Sequence, residues 1–406
     1  MSANNKGQNV ANAPLLRFPE FKDEWNIVKV SDLLEFYSTN SYSWDQLDFE
    51  VGEIFNLHYG MIHNGLPTMM NAKENILPFV KEKPKNYTIC KEGDVAFADA
   101  SEDTNDVAKC IEFTNCDRKQ IICGLHTIHG RDKLGITELG YKGYAFSSKA
   151  FHDQVKKLAQ GTKIYSISAK TFSECFVGIP SNKEQQKIAK LLSLIDKRIE
   201  IQRSAIEKLK SLKSAIVESL WDQKANAKIG DLIEQVSIRN KDNEKLPILS
   251  VSNKFGFINQ EDQFEDRVIA SENTSGYKIV SKNIFAYNPA RINVGSIALM
   301  KEDIKGIISP MYICFKVKNN VTPEYLEQFL FTKDFYNEMS IRLEGSVRQC
   351  LSFDALCDIP LHIPNKEQQQ YYSKKVESLV QKINLEQNML DALIKQKSYF
   401  LNKMFI

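Results

Sequence analysis

One segment occurs twice in this chain of 406 residues. The sequence IPSNKEQQKIAKLLSLIDKRIEIQ begins at Ile179, and the related sequence IPNKEQQQYYSKKVESLVQKINLEQ begins at Ile363. We call the distance along the chain from Ile179 to Ile363 the repeat offset. Each copy follows a long mixed segment, and these two mixed segments share few residues. The repeat therefore predicts a duplicated architecture in which the repeated part is kept and the attached domains differ.

A heptad pattern extends along both copies. From Ile188 the pattern positions advance in steps of four and three residues, and the same steps occur one repeat offset further on, from Tyr372. This spacing predicts two long helices, each with a largely apolar seam. The predicted seam consists of Ile188, Leu192, Ile195, Ile199, Ile206, Leu209, Lys213, Ile216 and Leu220 in the first helix, and of Val376, Leu379, Ile383, Glu386, Leu390, Leu393, Phe400 and Met404 in the second.

Polar residues in the seam predict how the two helices pair. An antiparallel arrangement places Lys213 opposite Glu386 and Lys397 opposite Gln202, whereas a parallel arrangement places Lys213 against Lys397. Like charges in a coiled-coil seam are unfavourable, and an opposite pair helps to fix the register. We therefore predict an antiparallel coiled coil related by an internal pseudo-two-fold. The alternative is that each helix packs only on its own domain.

The segments around the helices suggest an α+β fold with two pseudo-symmetric mixed α/β domains. Both mixed segments begin alike, with VKVSDLLEF at Val28 and AKIGDLIEQ at Ala227, and both contain a strand-like patch, at Tyr87 and at Tyr277. Alternating and β-branched residues around Asn or Gly favour strands and turns there. The predicted division is a flexible N-terminal tail at 1–13, a first domain at 14–178, a first helical segment at 179–225, a second domain at 226–362 and a second helical segment at 363–406.

The composition excludes several classes of protein. The chain has 53 Lys and Arg against 51 Asp and Glu, so it lacks the overall positive field of a protein that coats nucleic acid without discrimination. Its eight cysteines form no C-x-x-C pair and its first residues have no apolar signal core, which predicts a cytoplasmic protein without a zinc site. No apolar run approaches the roughly 18 residues of a membrane span, so we expect a soluble protein.

The motifs of DNA-modifying enzymes are missing. The chain has no Gly-x-Gly turn for S-adenosylmethionine, and its nearest approach to a methyltransferase loop, NPAR at Asn288, lacks the second proline and the aromatic residue. It has neither a Pro-Asp dipeptide nor a Walker A motif. The pair His126 and His129 is expected to pack or to donate hydrogen bonds. We therefore predict a chain that is not an enzyme and binds no metal or cofactor.

The segment LRFPEFKDEWNIVKVSDL at Leu16, the junction GTKIYSIS at Gly161 with the helix start after it, and the second copy of that junction resemble the specificity (S) subunit of type I restriction-modification systems. The resemblance covers essentially the whole chain. It implies two target-recognition domains, each reading one half of a split asymmetric DNA site, joined by two conserved helices that form an antiparallel coiled coil.

The same resemblance implies the partners. These are double-stranded DNA, two methyltransferase (M) subunits that methylate adenine with S-adenosylmethionine, and two restriction (R) subunits that use ATP and Mg²⁺ to cut unmodified DNA. The S subunit itself is not catalytic. Two other classes stay open from the residues alone, namely a self-sufficient DNA-modifying enzyme and an adaptor whose helices join two protein-binding domains without DNA.

Base reading calls for polar and basic side chains on loops, with aromatic rings able to stack. Lys163 and Arg348 lie beside glycines that align in the repeat, and we expect both to contact phosphate. An ordinary solvated loop is the alternative for each residue. The candidate DNA contacts are Ser101, Thr104, His126, Thr127, Lys163, Lys254, Asn288, Arg291, Tyr312, Ser346 and Arg348.

The two helix starts are candidate contacts with the M subunits. Within the repeat, the NKEQQ blocks are displaced by one residue relative to the repeat offset. Their Asn, Ser, Glu and Gln residues also suit helix capping, and capping leaves most of the side chains free for a partner. The candidates for partner binding are Glu184, Gln185, Glu367, Gln368 and Tyr371.

Overall fold

The computed structural model divides the chain into two compact units. Unit 1 consists of the residues up to Arg203 together with Asn388–Ile406, and unit 2 is Ser204–Gln387. Most of the tail expected at 1–13 lies outside the described residues. The structure describes residues 12–116, 119–221, 223–260, 274–346 and 348–406.

Unit 1 is a mixed α/β domain. Its described strands are β1 Asn26–Lys29, β2 Leu34–Tyr37, β3 Leu47–Asp48, β4 Ile54–Leu57, β5 Met69–Asn71, β6 Phe79–Val80, β7 Val95–Ala98, β8 Ala100–Ser101, β9 Cys110–Thr114, β10 Gln120–Cys123, β11 Thr127–Asp132, β12 Tyr165–Ser166 and β13 Phe176–Ile179. Its described helices are α1 Val30–Leu33, α2 Tyr59–His63, α3 Tyr141–Phe146, α4 Lys149–Leu158 and α5 Ala169–Phe172, followed by the long helix α6 Asn182–Trp221, which continues into unit 2.

Unit 2 has the same kind of content. Its described strands are β14 Ala227–Lys228, β15 Ile233–Val236, β16 Ile248–Ser252, β17 Gly256–Asn259, β18 Lys278–Val280, β19 Ile284–Tyr287, β20 Ile297–Leu299, β21 Gly306–Ile308, β22 Ile313–Val317 and β23 Pro360–Leu361. Its described helices are α7 Ile229–Leu232, α8 Pro323–Phe329, α9 Lys333–Ser340 and α10 Phe353–Cys357, followed by the long helix α11 Lys366–Lys403, whose last part belongs to unit 1.

The two units share a topology although their sequences differ. The strand order β2-β11-β7 of unit 1 recurs as β15-β22-β19 in unit 2. In the second sheet of each unit, the parallel pair β4·β10 corresponds to the parallel pair β16·β21. A short helix leads into the first strand of the large sheet in both cases. The duplication seen in the long helices therefore extends to the attached domains.

Each long helix is fixed at its start by a buried glutamine. In unit 1, Gln185 Nε2 donates to the carbonyl oxygens of Pro180 and Ile136, at 2.9 and 3.0 Å, and Gln185 Oε1 accepts from the Glu138 N–H at 2.8 Å. Both carbonyls and the N–H would otherwise need other partners, since buried polar groups are nearly always hydrogen-bonded. One side chain thus ties the helix start to the loop before α3.

The corresponding residue of unit 2 makes the same three bonds. Gln369 Nε2 donates to the carbonyl oxygens of Pro364 and Asn320, at 2.9 and 3.1 Å, and its Oε1 accepts from the Thr322 N–H at 2.9 Å. Each of these four residues lies one repeat offset after its counterpart in unit 1. Structurally equivalent residues at the two helix starts are therefore separated by the full repeat offset. The NKEQQ blocks are one residue out of step only in the sequence comparison.

The long helices pack in both units with the predicted face inward. Every predicted seam residue whose side chain is described is buried or half-buried; Leu220 is the one whose side chain lies outside the description. In unit 1, Ile188 and Leu192 of α6 share a core cluster with Met404, beyond the end of α11. In unit 2, Val217 near the end of α6 shares a cluster with Val376 near the start of α11.

The polar seam residues also have close partners. Lys397 Nζ lies 2.6 Å from Asp196 Oδ1 in unit 1, and Lys382 Nζ lies 2.5 Å from Glu386 Oε1 in unit 2. The expected opposition of Lys213 and Glu386 stays a prediction.

No helix in the described part of the chain combines the length and the apolar character that crossing a bilayer requires.

Candidate nucleic-acid interface

An exposed histidine occupies the turn between β10 and β11 of unit 1. His126 has φ of +53°, and its Nδ1 lies 3.1 Å from Asp99 Oδ1, just beyond the end of β7. Burial raises the pKa of Asp99, and the neighbouring His126 only partly opposes this rise. The Tyr59 N–H donates to the carbonyl of Leu125, 3.2 Å away, which connects helix α2 to the same turn. These contacts hold an imidazole at the surface in a fixed position.

Aromatic rings continue from this histidine across unit 1. The Tyr59 ring meets the His126 ring edge-on, with centroids 5.1 Å apart, and lies 4.8 Å from the His58 ring. The His58 ring lies 4.3 Å from Trp44, whose side chain is 47% exposed. Burial, with a smaller contribution from His126, lowers the pKa of His58, so this ring is neutral at neutral pH. His58 itself is buried, so the exposed rings of the row are Trp44 and His126 at its two ends, and exposed flat rings can stack on nucleic-acid bases or wedge between them.

The sequence analysis did not select Trp44, although a tryptophan in the polar stretch TNSYSWDQ is a usable signal. The other rings of the row are His58 and Tyr59 at the start of α2 and His126 in the turn after β10, and only the fold brings them together with Trp44. The row therefore depends on contacts between segments that are distant in the chain.

A short turn with the same form occurs in both units. In unit 1, Gln160 and Ser166 exchange two backbone hydrogen bonds of 2.9 and 2.8 Å. In unit 2, Glu344 and Cys350 do the same at 3.0 and 2.8 Å. Both residues of the second pair lie one repeat offset after those of the first. The turns are therefore equivalent, and their lengths are equal.

Each turn depends on a glycine. Gly161 has φ of +140° and Gly345 has φ of +109°, conformations that L residues rarely adopt. A Cβ on Gly161 would lie 1.9 Å from the carbonyl oxygen of Ile164, and one on Gly345 would lie 2.4 Å from that of Arg348. Arg348 therefore corresponds to Ile164, one position after Lys163. Both basic side chains are exposed, but at successive positions of equivalent turns rather than at one shared position.

The candidates of the first domain near this turn are partly exposed. Tyr165 of β12 pairs with Ser101 of β8, which brings the turn beside the loop that contains Ser101 and Thr104. Both of these side chains are half-buried. The structure thus brings Ser101, Thr104 and Lys163 into one region of unit 1.

In the second domain, Arg291 is exposed at the start of a 3₁₀ turn, Ile292–Val294. The preceding loop is tied to the repeated turn, because the Leu351 N–H donates to the carbonyl of Pro289 at 3.0 Å. Ser346 is also exposed. These candidates lie near one another through the loop connections of unit 2.

Lys254 lies in the turn between β16 and β17. Its Nζ is 5.1 Å from the ring centroid of Phe255, whose side chain is 70% exposed. A cation held over an exposed aromatic ring provides both a phosphate contact and a stacking surface. Phe255 was not selected from the sequence, because an isolated Phe does not reveal its own exposure.

Three predicted DNA contacts are buried, and the structure corrects them. Thr127 donates its hydroxyl to the carbonyl of Gly124 at 2.6 Å. Asn288 uses its Oδ1 to accept from the Ala290 N–H at 3.0 Å, as in a turn. Tyr312 is 8% exposed. These polar groups shape the loops from inside, so none of the three is presented to a ligand in this structure.

Two predicted partner contacts are also internal. Glu184 is 1% exposed and accepts two hydrogen bonds from Arg17, at 2.7 and 2.8 Å. Gln185 is the buried helix anchor described above. Glu367, Gln368 and Tyr371 are exposed and stay candidates. The partners of these two side chains, Arg17 for Glu184 and the loop before α3 for Gln185, are distant in the sequence and meet them only in the fold.

Comparison with known proteins agrees with this architecture. The family model of the type I restriction modification DNA specificity domain matches twice, at residues 22–211 and 223–396. The fold is similar to the S subunit of a type I restriction-modification system from M. genitalium, with 16% sequence identity, coverage of 97% of this chain and 99% of that chain, and a TM-score of 0.55.

A second solved structure, described as showing complex assembly and conformational transition of the type I R-M system, has 11% identity, covers 93% of this chain and 96% of that chain, and gives a TM-score of 0.54. At these identities the two structures support the fold. The two family matches together span most of the chain. It therefore belongs to the type I restriction-modification DNA specificity family and contains two specificity domains.

Proposed function

We propose that this chain is a DNA-binding specificity subunit in which each unit reads one half of a split, asymmetric site. The observation that carries the proposal is a duplicated fold with unlike exposed groups. Unit 1 offers His126 and the row ending at Trp44, whereas unit 2 offers Arg291 and Lys254 beside Phe255. A duplicated reader suits a duplex target with two half-sites, and different contact groups suit two different half-site sequences.

The two long helices pair as an antiparallel coiled coil in this proposal. Its support is that unit 1 combines the start of α6 with the end of α11, while unit 2 combines the end of α6 with the start of α11. The apolar seam faces inward in both. Lys213 opposite Glu386 and Lys397 opposite Gln202 belong to this proposal as register contacts.

The chemistry is assigned to partner chains. Two M subunits, using S-adenosylmethionine, methylate adenine at the site that this chain selects, and two R subunits, using ATP and Mg²⁺, restrict unmodified DNA. The exposed Glu367, Gln368 and Tyr371 at the start of α11 are the proposed M contacts. This chain supplies recognition, acts in the cytoplasm and performs no catalytic step.

The test is methylation mapping. The chain is co-expressed with its cognate M subunit in a host without adenine methylation, and modified adenines are located genome-wide. The proposal expects one split, asymmetric motif with adenine modified on both strands, and no modification when this chain is omitted. Methylation that persists without the chain, or none from an assembled complex, would move support to a protein-binding adaptor.

A further inference from the structure

Three side chains with metal-binding atoms meet in the interior of unit 1. Cys90 lies beside the antiparallel bridge between Ile89 and Ile122, Cys123 is the last residue of β10, and His129 lies in β11. All three are buried, and one ligand atom from each lies within 4.8 Å of the other two. They come from three separate segments, so no local sequence motif such as C-x-x-C predicts the cluster. The proposed DNA contacts do not include them.

The sulfur atoms already have a spacing that suits one metal ion. Cys90 Sγ and Cys123 Sγ are 3.6 Å apart. Two thiolates bound to a tetrahedral zinc ion at about 2.3 Å each lie roughly 3.8 Å from one another. A disulfide, by contrast, requires about 2.0 Å between the sulfur atoms.

The histidine is prepared to be a ligand. His129 Nε2–H donates to Asp94 Oδ2 at 2.8 Å, and the guanidinium of Arg131 holds the same carboxylate through two bonds of 2.7 Å. With its proton on Nε2, the neutral ring has a lone pair on Nδ1. Nδ1 is buried and has no hydrogen-bond partner among the described residues. A carboxylate that accepts from one ring nitrogen is the usual support for an imidazole that binds metal through the other.

Strand registers identify the same three positions in unit 2. Cys90 and Cys123 directly follow the bridged residues Ile89 and Ile122, and the matching pair of unit 2 is Ile279 of β18 with Ile307 of β21. His129 pairs with Ala96 of β7, and the matching pair of unit 2 joins β22 to β19. The corresponding residues of unit 2 are Val280 for Cys90, Ile308 for Cys123 and Cys314 for His129.

Unit 2 fills these positions without a metal-binding set. Val280, Ile308 and Cys314 belong to one apolar cluster and are each at most 1% exposed. The fold therefore closes this part of its core by hydrocarbon packing in one unit, so packing alone does not call for two thiols and an imidazole in the other. The second unit acts as an internal comparison for the site.

We infer that Cys90, Cys123 and His129 bind one Zn²⁺ ion in the interior of unit 1. Binding converts both thiols to thiolates and releases two protons, so the ion and its two thiolates carry no net charge. The Asp94 carboxylate is balanced by Arg131. Burial of such a neutral set avoids the cost of an uncompensated interior charge. Three protein ligands leave one tetrahedral position for a further donor.

The site would fix the base of the surface turn described above. Cys123 immediately precedes the turn that carries His126, and His129 follows that turn at the start of β11. Zinc would thus join both ends of the turn to the segment at Cys90. The zinc assignment itself does not depend on DNA binding, and it differs from the expectation from the sequence that the chain has no metal site.

The test uses the full-length chain, purified under reducing conditions without a metal-binding tag. Zinc is measured by mass spectrometry of the elements, and Co²⁺ titration is followed by the thiolate-to-cobalt charge-transfer absorption. The expected result is about one zinc per chain and saturation with about one Co²⁺. The variant Cys90→Val/Cys123→Ile introduces the residues of unit 2 and should lose both signals with unchanged far-ultraviolet circular dichroism.

A matched control removes two other buried thiols of unit 1. The variant Cys110→Val/Cys175→Val should keep the metal and the absorption band. In the wild-type chain, alkylation followed by peptide mass spectrometry should show Cys90 and Cys123 protected until a chelator is added, which needs no variant to fold. No zinc or cobalt in the wild type, equal metal in the Cys90/Cys123 variant, or a native Cys90–Cys123 disulfide would each overturn the assignment.

Discussion

The same residue makes the same contacts at both helix starts. Gln185 and Gln369 are each fully buried, and each satisfies two carbonyl groups and one N–H of a preceding loop. The sequence predicted Gln185 as a partner contact, because capping leaves most side chains of a helix start free for a partner. Its three partners lie in segments that join it only in the folded chain, so the letters alone did not reveal the anchor.

Gln185→Ala should lower the free energy of unfolding by about 1–3 kcal/mol, because it leaves a buried N–H and two carbonyls without their partner. The measurement is urea unfolding of the full chain. Gln186→Ala is the control, since the neighbouring side chain is exposed. Equal effects of the two substitutions would contradict the anchoring role.

Gly161→Ala and Gly345→Ala should each destabilise the chain by about 1–3 kcal/mol through strain in the repeated turn. Both positions have positive φ, and at both a Cβ meets a backbone carbonyl oxygen. Gly65→Ala is a matched control, with φ of +110° and no atom within 4 Å of the added carbon. Thermal unfolding of the three variants shows whether the contact between the added Cβ and the carbonyl oxygen destabilises the chain beyond the strain of a positive φ. If Gly65→Ala destabilises the chain as much as the other two substitutions, the contact adds nothing.

The basic residues of unit 2 should differ in what they read. Arg348→Ala should weaken binding to all DNA sequences alike, as expected for a lost phosphate contact. The slope of the logarithm of the binding constant against the logarithm of the salt concentration should fall in magnitude by about one. Arg291→Ala should relax the preference at a base of one half-site, as expected for a lost base contact. Binding of the complex to a library of sites at several salt concentrations separates the two. Negligible effects from both would place the DNA elsewhere.

At the scale of elements, the long helices were predictable and the strands were not. The heptad steps fixed which face of α6 and α11 is buried, because a heptad repeat of apolar residues requires a seam. Most strands are too short to carry enough alternating positions for their pairing to be read. Near the long helices, equivalent residues of the two units are separated by the repeat offset. Cys90 and its equivalent Val280 are separated by more residues than the repeat offset. Insertions of this kind hide the common topology from sequence comparison.

The candidate site was predictable only in part. Lys163, Lys254, Arg291, Ser346 and Arg348 are exposed, as a contact requires, because short basic loops around Gly or Asn are usually at the surface. The row of rings that ends at Trp44 was not predicted from the sequence, because its members come from distant segments. The cluster of two thiols and an imidazole was not predicted for the same reason.

Leu192→Ala should cost about 2–5 kcal/mol of unfolding free energy, because this seam residue is fully buried in the core of unit 1. Leu194→Ala, on the same helix, should stay within about 0.5 kcal/mol, because that side chain is 52% exposed. Urea unfolding of the two variants tests the phase of the seam. Comparable losses would mean that the helix is rotated relative to the heptad assignment.

At the scale of the whole molecule, one topology supports two chemically different surfaces. The hydrogen bonds at the helix starts and at the glycine turns recur in both units at the repeat offset. The exposed side chains differ between the units, and so do the buried side chains packed against the second sheet. A scaffold kept constant with variable loops is how one fold acquires separate specificities. This contrast supports the proposal that each unit recognises one half-site.

The most direct test exchanges the first specificity domain as a whole. Residues 14–178 are replaced by the corresponding domain of another family member with a known, different motif, and methylated adenines are mapped in cells that also produce the M subunit. We expect one half of the split motif to change to that of the donor, while the other half and the length of the gap are retained. A motif in which both halves change, or neither does, would contradict the claim that each unit reads its own half-site.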